Sequence, residues 1–93
     1  MKTLKALKAE LLASAEVRAA YEEQAQEFEI AHELIAARTR AKMTQAEVAE
    51  RMGTTQSTVA RLEGGRAKPS MRTVERYAEA TGHRAAVRLV EYA

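Results

Sequence analysis

The stretch TQAEVAERMGTTQSTVARLEGG, residues 44–65, decides how this chain folds. Thr44-Gln45-Ala46-Glu47 has the pattern of a capping box, in which Thr44 serves the first-turn backbone and Glu47 reaches back to it. The helix so started puts Val48, Ala49 and Met52 on one side, and Gly53 is the residue best able to end it in the left-handed conformation. Thr55 then caps a second short helix, Gln56 to Glu63, with Val59 and Leu62 inward and Gly64-Gly65 closing it. The stretch therefore predicts two short helices joined by a tight turn, with Ala49 small where they approach.

Outward from this unit the pattern stays helical. A loop through Arg66 and Lys68 leads to Pro69-Ser70, where Ser70 caps a helix from Met71 to Ala80 with Met71, Val74, Tyr77 and Ala78 inward and Gly82 after it. On the other side, Ala15 to Ala41 holds no Gly or Pro. There Phe28, Ala31 and Ile35 form one apolar stripe and Ile30, Leu34 and Ala37 a second. Ser14 is placed to cap it, with Glu16 near its positive end. Its first half has only Val17, Ala20, Tyr21 and Ala25 to bury, and reads as a separate helix or an arm. Thr3 to Leu12 spaces Leu4, Leu7 and Leu11 as a short amphipathic helix. At the other end the period changes. Val87 and Leu89 alternate with Ala86, Arg88, Val90 and Tyr92, which predicts a strand. A lone strand has no partner in its own chain, so pairing across the twofold axis of a dimer is expected.

The composition agrees with an all-α fold. Of 93 residues, twenty are Ala, one is Pro and four are Gly, and aromatics amount to 4%. Without Cys there is no disulfide scaffold, thiolate metal site or thiol nucleophile. No apolar run nears the ~18 residues of a membrane span, and Lys2, Lys5 and Lys8 precede no apolar core of a secretory leader, so a cytoplasmic protein is expected. The net charge is only +2, but it is unevenly spread. Residues 1–37 carry four Lys/Arg against seven Glu, and residues 38–93 carry eleven against six. An acidic half and a basic half imply two kinds of partner.

Catalysis would need a nucleophile with a base, a carboxylate pair or a metal site. The two histidines, His32 and His83, lie far apart, and His32-Glu33 lacks the second His of a zinc helix. Gly64-Gly65 follows a helix and has no phosphate-loop pattern. No enzyme, cofactor or metal is expected.

The helix from Gln56 to Glu63 leaves amide, hydroxyl and guanidinium groups outside its apolar face, which suits base edges and phosphates. With the sequence TQAEVAERMGTTQSTVARLEGGRAKPSMRTVERYAEATG, residues 30–82 resemble the lambda-repressor-like, Cro/XRE-type helix-turn-helix family. The resemblance implies a DNA-binding bundle. Gln45 matches the family's phosphate-binding Gln, Gln56 and Ser57 its base-reading positions, Thr58 a place near the backbone, and Arg61 the next reading position. Thr55, Arg66 and Lys68 match phosphate contacts, and Arg38 and Glu63 match a pair that ties the first helix to the recognition helix. Gly64 departs from the pattern, since many relatives have Asn or Ser there.

The whole chain, with a helical extension before the bundle and a strand after it, is similar to the HigA-like antitoxins of bacterial toxin–antitoxin pairs. That likeness implies three parts: an acidic arm over residues 1–27, the helix-turn-helix domain over 28–83, and a dimerisation strand over 84–93 using Val87, Leu89 and Val90. It further implies a small basic ribonuclease-type toxin bound by the arm through Leu4, Leu7, Leu11, Val17, Tyr21, Glu22 and Glu23. The homodimer would repress its own operon at a palindromic DNA site. The alternative is a free-standing regulator without a toxin partner.

Overall fold

A computed structural model of the chain describes residues 3–7 and 15–91, with side chains in the longer stretch from residue 18 onward. Four helices follow in order: α1 (Ala15–Arg40), α2 (Gln45–Met52), α3 (Gln56–Glu63) and α4 (Met71–Ala80). Residues 4–7 add one helical turn, opened by Thr3 Oγ1 accepting from Ala6 N at 3.1 Å. The expected cap Ser14, with Leu11, Leu12 and Tyr92, lies outside the described residues, as do the side chains of Glu16 and Val17.

Each short helix starts where a hydroxyl side chain can take an orphan amide. Thr44 accepts from Glu47 N at 3.1 Å while the Glu47 carboxylate accepts from Thr44 N at 3.1 Å, completing the capping box. These bonds from Thr44 hold the Glu47 carboxyl below its usual range. Thr55 and Ser70 repeat one device at α3 and α4. Each accepts from the amide three residues on, at 3.2 Å, and shares a 3.0 Å hydroxyl bond with the Thr there, Thr58 or Thr73. The helix ends are as economical. Gly53 adopts φ 69° with open space around its α-carbon, so the backbone angle, not crowding, calls for glycine. Lys42 takes the corresponding left-handed angle, φ 55°, after α1. Its neighbour Met43 N then returns to Arg38 O at 3.2 Å.

The core is Leu34 from α1, Val48, Ala49 and Met52 from α2, Val59 and Leu62 from α3, and Tyr77 and Ala80 from α4. Ile30, Met43 and Val74 pack against it. Val48, Val59 and Tyr77 are fully enclosed. Two arginines tie helix ends across the bundle: Arg76 donates to the carbonyl of Met52, and Arg51 to that of Ala80 at 3.2 Å. Met71, expected inward, is half exposed at the first turn of α4.

The first half of α1 is not the separate helix that the sequence left open. One uninterrupted helix of 26 residues runs through residue 27 into the bundle. Residues 18–26 are exposed apart from Glu22, which is half-buried, so this part projects beyond the core and the molecule reaches 52 Å along its longest axis. The C-terminal strand is a correction. No strand occurs among the described residues, and residues 83–91 take neither helical nor strand form. A ladder needs a second strand, and the described residues supply none. Val87, Leu89 and Val90 stand 68%, 93% and 80% exposed.

Phe28 takes an unexpected place. Its ring lies over Gly65, which is buried at φ 72°, and a β-carbon there would come within 2.5 Å of Phe28 Cδ1. Gly65→Ala therefore combines a left-handed penalty with a steric one, and should lower stability by about 1–3 kcal/mol. In a Phe28→Ala background the steric part disappears, so the same substitution should cost only about 1 kcal/mol in urea unfolding. Equal costs in the two backgrounds would mean that the ring does not constrain the glycine.

Candidate nucleic-acid interface

The α2–turn–α3 unit presents α3 along one side of the bundle. Val59 and Leu62 face the core, and Gln56, Ser57, Ala60 and Arg61 are exposed. These four positions fall at i, i+1, i+4 and i+5, which is one face of a helix. It carries an amide, a hydroxyl, a methyl and a guanidinium, the groups that bond base edges or contact a thymine methyl. Thr58 lies at the flank, half-buried, with its hydroxyl turned back to Thr55 at 3.0 Å. Thr55 spends its oxygen on the cap in the same way. Arg66 and Lys68 are exposed on the loop after α3.

Behind this face sits a polar cluster centred on Glu63, the last residue of α3. Its side chain is 4% exposed, and its two oxygens accept four hydrogen bonds. Arg38 on α1 donates from Nε and Nη2 at 2.8 Å each, a bidentate fork. Tyr77 on α4 donates its hydroxyl at 2.7 Å, and Gln45 on α2 its amide at 3.2 Å. Arg38 also donates from Nη1 to Met43 O at 3.1 Å, so the guanidinium clamps the turn that follows its own helix. Burial pushes the Glu63 carboxyl up, but the bonds from Arg38, Tyr77 and Gln45 outweigh it and hold the group below the usual carboxylate range. Burial and the hydrogen bond to Glu63 raise the Tyr77 phenol. The hydrogen bond to Glu63 outweighs burial and raises Arg38.

The structure thus unites Arg38 and Glu63 as the resemblance implied, and adds two partners that sequence reading missed. Tyr77 was legible as a core residue from its inward position on α4, but nothing near it in the sequence signals a carboxylate partner 14 residues away. Gln45 was assigned to phosphate. Its amide nitrogen engages Glu63, which leaves a second amide hydrogen and the carbonyl oxygen for a ligand.

The other assigned residues lie apart from this face. Leu4, Leu7 and Tyr21 are exposed on the N-terminal segments, with Glu23 exposed and Glu22 half-buried beside Tyr21 on α1. His83 accepts from Arg40 Nε at 3.2 Å and is paired with Thr81 O at 2.7 Å, which is a structural role. His32 is exposed on α1. Among the described residues no group of acidic, His or Cys side chains could hold a metal, and no helix is long and apolar enough to cross a membrane.

Loss of the Glu63 charge gives a direct measure of the cluster. Glu63→Gln should cost about 2–3 kcal/mol at pH 7, because Arg38 is left half-enclosed without its counter-charge. The folded carboxyl titrates below its unfolded counterpart, so its contribution is complete above about pH 4.3 and drains away as pH falls toward the folded value. The gap between wild type and Glu63→Gln in urea midpoint should therefore close on acidification below about pH 4.3. A pH-independent gap would contradict an ionised Glu63.

Residues 34–84 match the family described as HTH_3, helix-turn-helix. No curated protein and no solved structure gives a significant match to the chain.

Proposed function

The chain belongs to the helix-turn-helix family HTH_3, a DNA-binding transcription-regulator fold, and from that premise we propose that it is a cytoplasmic, non-catalytic antitoxin that represses its own operon. The observation that carries the DNA-binding part is the exposed Gln56, Ser57, Ala60 and Arg61 face on a helix whose opposite side is locked into the core. Gln56 and Arg61 read bases, with Ser57 beside them. Gln45, Thr55, Thr58, Arg66 and Lys68 hold phosphates and set register. The protein works as a homodimer on a palindromic operator, joined through the exposed Val87, Leu89 and Val90, with recognition helices about 34 Å apart.

The toxin-binding part of the reading rests on charge and exposure. Glu22, Glu23, Glu27, Glu29 and Glu33 follow one another along α1 with no Lys or Arg between them, and Tyr21, Leu4 and Leu7 expose apolar surface on the same N-terminal side. Such a surface complements a small basic protein. A regulator without a toxin partner is the second reading, favoured by the continuity of α1, which makes the acidic segment part of the DNA-binding domain's own first helix.

The deciding experiment is co-expression with the neighbouring open reading frame: a co-purifying basic protein whose toxicity this chain suppresses supports the antitoxin. Suppression should be lost on reversing Glu22 and Glu23 to Arg, with operator binding retained. A wild type that suppresses nothing and co-purifies with nothing leaves the free-standing regulator.

On DNA, Gln56→Ala and Arg61→Ala should each cost about 1–3 kcal/mol on a selected site and relax preference at one base pair. Arg66→Ala and Lys68→Ala should weaken all duplexes alike and each reduce the salt slope by about 1. Unchanged base preference in the first pair, read by competition binding, would put the wrong face of α3 in the groove. Leu89→Asp should turn the dimer into a monomer in sedimentation, and a dimer that survives it would place the twofold contact elsewhere.

A further inference from the structure

Phe28 projects from α1 outside the core cluster, half exposed, and its ring covers the turn at Gly65. That turn is built differently from the other helix ends. At Lys42, Gly53 and Gly82 a left-handed residue closes the helix with two return bonds. Its own amide reaches back three residues and the next amide five, as Gly53 N does to Glu50 O at 3.1 Å and Thr54 N to Ala49 O at 2.9 Å. Lys42 with Met43, and Gly82 with His83, repeat the pair. Gly65 has the same left-handed angle, φ 72°, yet neither bond forms there. Residues 65–69 make no hydrogen bond to any described residue. Gly64 and Gly65 in succession give the backbone its greatest freedom, and Gly64 brings no side chain to act as a cap. Arg66 and Lys68 thus sit on a loop that starts without a closed cap, fixed at Gly65 by contact with an aromatic ring.

We propose that Phe28 is a positioning residue for DNA binding: its ring sets the conformation of Gly65 and so aims Arg66 and Lys68 at the phosphate backbone. This role rests on the phosphate-facing reading of those two residues. The fit of the ring carries it. Cδ1 and Cε1 of Phe28 lie 2.5 and 2.9 Å from where a β-carbon on Gly65 would stand, so the ring fills the space of the missing side chain. Gly65 is buried beneath it, while Arg66 and Lys68, just beyond, are exposed. A loop ordered before it meets the duplex loses less conformational entropy on binding than one that the duplex must order.

The test measures binding of the full chain to a duplex selected from a random pool, across a salt series. Phe28→Ala should weaken binding about 5- to 10-fold and lower the salt slope by about 1, as phosphate contacts lose their register, with base preference unchanged. Phe28→Tyr keeps the ring and should bind as the wild type does. In an Arg66→Ala/Lys68→Ala background, Phe28→Ala should change affinity by less than about 2-fold, because the groups that the ring aims are gone. In amide spectra of the free protein, Phe28→Ala should shift Gly65, Arg66 and Ala67 while Val48, Val59 and Tyr77 hold their places. If Phe28→Ala fails to fold, Phe28→Leu, with apolar bulk but no ring, should show the same pattern with a smaller loss.

A Phe28→Ala protein with wild-type affinity and salt slope refutes the role. A loss that persists undiminished in the Arg66→Ala/Lys68→Ala background also refutes it, since the ring would then act through the bundle as a whole. If the wild type binds no duplex at any salt, the DNA-binding reading falls and this role falls with it. If the wild type binds and only the Phe28 variants depart from expectation, that reading stands and the role alone is lost.

Discussion

Glu63 is where the bundle is tied. Its nearly enclosed carboxylate draws donors from the other three helices: Arg38 on α1, Gln45 on α2 and Tyr77 on α4. A charge in that position is costly unless it is fully satisfied, and four donors within 3.2 Å satisfy it. The arrangement acts on geometry more than on net stability. A hydrophobic contact tolerates sliding, whereas a bidentate fork and two further bonds fix the end of α3 against all its neighbours at once. Since α3 carries the outward face of Gln56, Ser57, Ala60 and Arg61, the aim of that face depends on the cluster behind it.

The apolar layers supply the rest of the constraint. Val48, Ala49 and Met52 meet Val59 and Leu62 across a turn that only a left-handed residue can close, and Gly53 closes it. Arg76 and Arg51 then cover carbonyls at the ends of α2 and α4 that would otherwise lack partners. The short helices need this help. At eight residues each, α2 and α3 are too brief to persist on backbone hydrogen bonds alone.

What the sequence made legible follows the range of each interaction. Caps at Thr44, Thr55 and Ser70 involve atoms three residues apart, and they form as the local pattern predicts. The inward positions of α2 and α3 follow from helical period, and they are buried. Longer-range features escaped. The hydroxyl of Tyr77 and the amide of Gln45 reach Glu63 only because the tertiary fold brings three helices to one point. Phe28 was read as one of several stripe residues, and its closure over Gly65 has no local signal. The alternation of Val87 and Leu89 with Ala86, Arg88 and Val90 is real, but a period of two makes a strand only where a ladder exists. The face of α3 was legible as chemistry, and the match over residues 34–84 places it in its family.

The unbroken course of α1 has a mechanical meaning. Its 26 residues span about 39 Å, and the same hydrogen-bonded ladder that carries Glu22 and Glu23 ends two residues after Arg38. Anything gripping the free end holds a lever whose fulcrum is the Glu63 cluster. Helix rotation advances 100° per residue, so inserting or deleting one residue between Glu29 and Leu34 would swing the acidic face around the axis while the recognition face stayed put. The angle between what the lever holds and what α3 touches is therefore written as a residue count.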